Sequence, residues 1–113
     1  MTRADAQRRL LRTYRLPLVS FTINIAGPVK FSPLIELAFD AGLEALRTAL
    51  GQPVAAEIIR PATGCEALLV YDRPAAALKA ACLTLETATP VGRLSKMAVH
   101  DADGNNLSLL QQR

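Results

Sequence analysis

The chain is short of the residues that build small scaffolds or spell common active sites. Its 113 residues include two cysteines, one histidine and no tryptophan, and only 4% are aromatic. Cys65 and Cys82 are too few and too far apart for a metal knuckle or a disulfide framework. With His100 as the lone histidine, neither a serine–histidine–acid order nor a two-histidine metal motif is present, and no glycine-rich nucleotide loop is spelled out. No apolar run reaches membrane-spanning length and no leader-like segment opens the chain. These absences predict a soluble, cytoplasmic protein with both thiols reduced and no membrane partner.

What is present is a single core's worth of aliphatic side chains. Half of the residues are hydrophobic, and at this length they predict one domain over 1–113, with an N-terminal helical arm over 1–15 and a core over 16–113. The net charge is +3 and the isoelectric point about 9.2. Arg3, Arg8, Arg9, Arg12 and Arg15 concentrate the basic charge at one end. Without interleaved aromatics, such a run reads as a solvated helix face rather than a nucleic-acid footprint.

The organising stretch is Pro17 to Pro33, P-L-V-S-F-T-I-N-I-A-G-P-V-K-F-S-P. Val19, Phe21, Ile23 and Ile25 alternate with Leu18, Ser20, Thr22 and Asn24, the period of a strand with one strongly apolar face. Gly27-Pro28 breaks it, and Ser32-Pro33 reads as an N-cap with proline in the first helical position. A helix follows over 33–50, with Ile35, Phe39, Leu43, Leu46 and Leu50 as its stripe. Gly51 and Pro53 end it. Strands are predicted over 54–60 and 65–71, the second with the continuous apolar run Leu68-Leu69-Val70 of a strand buried on both faces. A second helix carries Leu78, Cys82 and Leu85 and ends at Thr89-Pro90. A strand within 91–101 and a return over 107–110 form a hairpin across Asp103-Gly104 or Asn105-Asn106. The sum is an α+β fold: a two-layer, ferredoxin-like βαββαβ core with an N-terminal helix and a C-terminal hairpin. The two long helices should meet Val19, Phe21, Ile23, Leu68 and Val70. The face bearing Ser20, Thr22 and Asn24 should lie open, as a ligand floor or as a wet surface.

Lys30, between a strand end and the free amides of a helix start, fits a phosphate cradle with Gly27 and Ser32; the alternative is an ordinary strand-to-helix connection. Arg93 after Gly92 suits bidentate phosphate binding or a plain strand start. Glu66, at a strand edge, would orient the cations, hold a metal or form a salt bridge. Cys65 could be exposed, whereas Cys82 belongs to the core. His100 beside Asp101 reads as a strand-end surface residue, with a pH-tuned base as the alternative.

V-S-F-T-I-N-I-A-G-P-V-K over 19–30 resembles the citrate lyase holo-acyl-carrier-protein synthases, also called apo-citrate lyase phosphoribosyl-dephospho-CoA transferases, which typically read V-S-F-T-x-N-x-P-G-P-V-K here. A family Gly-Pro-Glu stretch corresponds to Gly64-Cys65-Glu66, and P-L-G-R-L-x-D-x-D-V to Pro90 through Val99. The resemblance implies transfer of a phosphoribosyl-dephospho-CoA group from triphosphoribosyl-dephospho-CoA to a serine of the citrate lyase acyl-carrier subunit, with no bound cofactor and with Mg2+ as the metal of an active chain. It implies Gly27, Lys30 and Arg93 as ligand-positioning residues, with Ser32, Glu66 and Asn24 beside them. Where the pattern has two aspartates this chain has Lys96 and Ala98, and it reaches Arg113 where the family continues with an arginine- and cysteine-bearing segment. The residues therefore leave open a working transferase, a non-catalytic relative that binds a CoA-like ligand or an acyl-carrier protein, and a structural ferredoxin-like module.

Overall fold

The computed structural model describes residues 2–24, 33–59, 64–88 and 95–107. Three helices and four strands follow one another as α1 (Arg3–Tyr14), β1 (Leu18–Asn24), α2 (Pro33–Leu50), β2 (Ala55–Ile59), β3 (Gly64–Val70), α3 (Ala75–Ala88) and β4 (Ser95–His100). The strands form one sheet in the order β2-β3-β1-β4, and every neighbouring pair is antiparallel. The fold is α+β. Beyond β4, Asp101 to Asn105 turn the chain and Asn106 bridges back to His100, with the Leu107 amide donating to the Val99 carbonyl at 2.6 Å. The expected hairpin is thus begun, and the rest of its return strand lies outside the described residues.

Strand alternation divides the apolar residues between two faces. On one face Val19, Phe21 and Ile23 lie beside Leu69, Ala67 and Cys65 of β3 and pack against Phe39, Leu43, Leu46 and Leu50 of α2 and Leu78 and Cys82 of α3. On the other face Leu18, Leu68 and Val70 pack against Ala6 and Leu10 of α1. Two expectations are corrected here. Leu68 and Val70 face α1, because antiparallel pairing sets Leu69, and not its neighbours, beside Val19. The second face is not open: α1 lies on it, and Ser20 is buried. Cys65 is likewise buried, not exposed, since its register partner Ile23 points into the main core.

Local chemistry explains where α1 begins and ends. Thr2 Oγ1 accepts from the Asp5 amide and the Asp5 carboxylate accepts from the Thr2 amide, each at 3.2 Å, a reciprocal cap. The Thr2 amide hydrogen bond is the first cause of an Asp5 carboxyl held below its ordinary value. At the other end Arg15 adopts φ 54°, in the left-handed region, and its amide closes on the Leu11 carbonyl. A side chain is disfavoured there and glycine is not. Arg15→Gly should therefore stabilise the fold by about 1 kcal/mol, read as a higher urea midpoint. A lower midpoint would show that the arginine side chain contributes more than its backbone strain costs.

Gly42 in the middle of α2 has a different reason. A Cβ on it would stand 2.2 Å from Cζ of Phe21. That ring is held against Phe39, with centroids 5.7 Å apart, and has little space to move. Alanine normally helps a helix interior by about 1 kcal/mol over glycine. Here Gly42→Ala should instead lower stability by about 1–3 kcal/mol through overpacking; a raised melting temperature would mean that the Phe21 ring shifts freely.

The end of α2 is fastened to the β3–α3 connection. Gly51 takes φ 85°, its carbonyl accepts from the Tyr71 hydroxyl at 2.9 Å, and the Leu50 carbonyl accepts from Arg73 at 3.1 Å. No helix among the described residues is long and apolar enough to cross a membrane.

Candidate functional site

The α1-side face of the sheet is a lattice of cross-strand neighbours. Its first row is Ala55–Val70–Leu18–His100, its second Glu57–Leu68–Ser20–Ala98, and its third Ile59–Glu66–Thr22 with position 96. Polarity rises along the lattice. The first rows are closed by Ala6 and Leu10 of α1, and the third carries a carboxylate and a hydroxyl side by side. Adjacent strands lie about 4.8 Å apart, so Glu66 and position 96 bracket Thr22 with backbones about 10 Å apart.

Two arginines of α1 fasten the helix to this lattice. Arg3 Nε lies 3.1 Å from Glu66 Oε2, and Arg9 pairs with Glu57 of β2. Glu66 Oε2 is buried and makes no well-aligned hydrogen bond, so its contact with Arg3 is a charge contact of poor angle. The arginine is half-exposed and the carboxylate mostly covered, 48% and 18% exposed. Of the alternatives for Glu66, the salt bridge is the one found.

The other expected site residues fall at the same end of the sheet or beyond the description. Gly27, Lys30, Ser32 and Arg93 lie outside the described residues. Asn24 ends β1 opposite Gly64, and Ile23 pairs with Ser95 at the start of β4. The described ends from which the Lys30 and Arg93 segments leave are therefore on adjacent strands.

His100 is corrected from surface residue to buried group. It is 6% exposed, and neither ring nitrogen has a hydrogen-bond partner among the described residues. Asp101 is not its orienting acid. Its carboxylate instead accepts from the Asp103 and Asn105 amides at 3.0 and 2.8 Å and from Asn105 Nδ2 at 3.0 Å, and these bonds, the Asn105 side chain first, hold its own carboxyl below the ordinary value. Burial depresses the His100 imidazole below its ordinary value of 6.5, the Arg3 charge adds to the shift, and Asp101 opposes it. The unfolded chain thus binds a proton at a higher pH than the folded one. The stability this residue contributes is complete above about pH 6.5 and is lost as pH falls from there through the lower folded value. Urea midpoints should drop between pH 7.5 and 5.5, and His100→Leu should flatten that drop. A variant with the parent's slope would assign the titration to another group.

A family model described as apo-citrate lyase phosphoribosyl-dephospho-CoA transferase matches residues 1–111. The chain belongs to this transferase family. It is 36% identical over 111 residues to the "Probable apo-citrate lyase phosphoribosyl-dephospho-CoA transferase" of Vibrio cholerae serotype O1 (strain M66-2), covering 94% of this chain and 62% of that protein. It is 40% identical over 100 residues to the protein of the same name from Streptococcus pyogenes serotype M5 (strain Manfredo), covering 86% and 52%. The chain thus spans between half and two thirds of the length of these transferases.

Family membership gives the lattice a meaning. The two positions where the transferase pattern has aspartates, 96 and 98, fall on the α1-side face beside Thr22 and Ser20, and Glu66 flanks Thr22 from the other side. In this transferase relative the donor set does not fit a magnesium ion. Glu66 is the one carboxylate of the third row and is paired with Arg3, while positions 96 and 98 hold lysine and alanine. The segments 25–32, 60–63 and 89–94 contain no Asp, Glu, His or Cys, so they add no acidic ligand. Arg3, Arg9 and the covering role of α1 were missed from sequence. The available signal was Ala6 and Leu10 at i, i+4 together with the doubly apolar run Leu68–Val70.

Proposed function

We propose that this chain acts in the attachment of the citrate lyase prosthetic group, accepting triphosphoribosyl-dephospho-CoA as donor and the acyl-carrier subunit as acceptor, in the cytoplasm. The observation that carries the reading is the register itself. Three stretches far apart in sequence, 20–24, 64–66 and 95–98, become neighbours on β1, β3 and β4, and all three are the stretches that resemble the family motifs. In the reaction the acceptor serine oxygen forms a bond to the phosphorus next to the ribose, the bond from that phosphorus to the bridging oxygen breaks, pyrophosphate leaves, and the serine proton passes to a base or water. Such chemistry depends on positioning and on charge at the phosphates. We assign that task to Lys30 and Arg93 with the amides around Gly27 and Ser32, and to the Thr22–Glu66 row the floor on which the acceptor oxygen is held.

A second reading, ligand binding without transfer, is favoured by Lys96 and Ala98 where the family pattern has carboxylates. Incubating the chain with apo acyl-carrier subunit, donor triphosphate and magnesium, then weighing the carrier, separates the two. Carrier heavier by the prosthetic group supports transfer. Unmodified carrier with a donor-induced rise in melting temperature supports binding alone. Neither modification nor a thermal shift would reject both readings.

A further inference from the structure

The arginines of α1 divide into two groups that serve different ends of the helix. Arg3 and Arg9 turn to the sheet and are paired with Glu66 and Glu57. Arg8, Arg12 and Arg15 turn away from it and line an open groove of about 680 Å³ between α1 and the turn after β4. Leu11 and Ala102 also line the groove, with Asp103 and Gly104 on the turn side. Gly104 takes φ 90°, and a Cβ there would stand 3.7 Å from the Leu11 side chain, so the turn sits close against the helix. Arg8 is engaged by Asp5 at 2.6 Å, whereas Arg12 and Arg15 make no ion pair among the described residues. With Arg8 matched by Asp5, Arg12 and Arg15 against Asp103 leave the groove an excess of positive charge.

We propose that this groove is the docking surface for an acidic, helical segment of the protein acceptor. The inference rests on the functional reading above and adds to it where the acceptor binds. Arg8 and Arg12 follow i, i+4 on α1 and Arg15 caps its end, which spreads the three along about 10 Å. A line of charges that long matches carboxylates spaced along an opposing helix better than it matches a triphosphate, which calls for donors converging on a compact point. Apolar side chains beneath charged ones are the make-up of a protein interface. The groove also lies apart from the lattice. Residues 12 and 15 are nine and twelve positions from Arg3, or about 14–18 Å along the axis, so a partner anchored here must be large enough to reach the Thr22–Glu66 row as well. Charge contacts of this kind govern encounter and salt dependence.

The test measures binding of purified apo acyl-carrier subunit to the full chain by titration calorimetry at 50 and 300 mM salt, with binding of the donor triphosphate measured in parallel. Wild type should bind the carrier more weakly at the higher salt. Arg12→Glu with Arg15→Glu should weaken carrier binding at least tenfold at low salt and leave the donor affinity within twofold. Arg12→Ala with Arg15→Ala, gentler on the end of α1, should give a smaller loss in the same direction. Carrier binding equal to wild type in both variants, at unchanged melting temperature, would overturn the docking surface and leave the functional reading standing. Lost donor affinity with carrier affinity retained would make the groove a phosphate site and overturn the proposal. A charge-dependent change in oligomeric state by light scattering, without an effect on carrier binding, would assign the groove to a second copy and do the same. If wild type binds no carrier at either salt, the functional reading falls, and the docking surface with it.

Discussion

Phe39→Ala should destabilise the fold by about 3–5 kcal/mol, the range for removing a fully buried phenylalanine. Phe39 is entirely covered, stacks on Phe21 with an interplanar angle of 21°, and joins α2 to the sheet within the main cluster. The surroundings have little freedom to collapse into the void. One wall is the Phe21 ring, whose tip abuts Gly42, and the same cluster includes side chains of the sheet and α3. Domains of this size have unfolding free energies of about 5–15 kcal/mol, so the variant should unfold at a far lower urea concentration and melt more than about 10 °C earlier. A midpoint close to the parent's would mean that α2 is not packed as described. Pairing it with Phe21→Ala in a double-mutant cycle should show a coupling of about 0.5–1.5 kcal/mol, the double variant losing less than the sum of the singles because either change alone already removes the direct ring contact.

Much of this core was legible in the sequence. The alternation Val19, Phe21, Ile23 and the spacing Phe39, Leu43, Leu46, Leu50 each identify an apolar face by themselves, and the two faces do meet. What alternation cannot supply is which parity of β3 joins which face, because Leu68, Leu69 and Val70 are apolar at every position. Register decides that, and register depends on hydrogen bonding to β1. The same run announced burial on both faces, yet the cover over the second face comes from α1, whose burying residues are only Ala6 and Leu10. A short stripe under a heavily charged helix looks like a solvated arm, and the ion pairs from Arg3 and Arg9 that complete its attachment are long-range in sequence. His100 was misjudged for a related reason. Its position at a strand end suggests exposure, but α1 and the returning chain at Asn106 enclose it. Glu66 was found as a candidate because it lies in a motif; its partner Arg3 lies in none.

The chain as it stands should modify the acyl-carrier subunit only slowly, and Lys96→Asp with Ala98→Asp should raise magnesium-dependent modification by about two orders of magnitude. Positions 96 and 98 are two apart on β4 and lie on one face, next to Thr22 and Ser20. Two carboxylates there, with Glu66 one strand beyond Thr22, would offer the hard oxygen ligands a magnesium ion takes. A lysine in that row repels a divalent cation. A gain of two orders of magnitude in rate would correspond to about 2.8 kcal/mol of transition-state stabilisation, within the several kcal/mol a metal supplies by neutralising a transferring phosphoryl group. The variant also has a signature that needs no turnover. Position 98 is half-buried opposite the buried Ser20, so a carboxylate there should lower the melting temperature without metal. Magnesium should restore it, since a ligand bound only by the folded state stabilises in proportion to RT ln(1 + [L]/Kd). The parent chain should show no such response. Arg3→Ala in the same background should strengthen the effect by releasing Glu66 from its ion pair. If the double variant melts at the same temperature with and without magnesium, the row formed by Glu66, Thr22 and position 96 does not hold the metal. If it responds to magnesium yet leaves the carrier unmodified, the lost carboxylates are a binding defect, and the missing chemistry lies in residues other than this row.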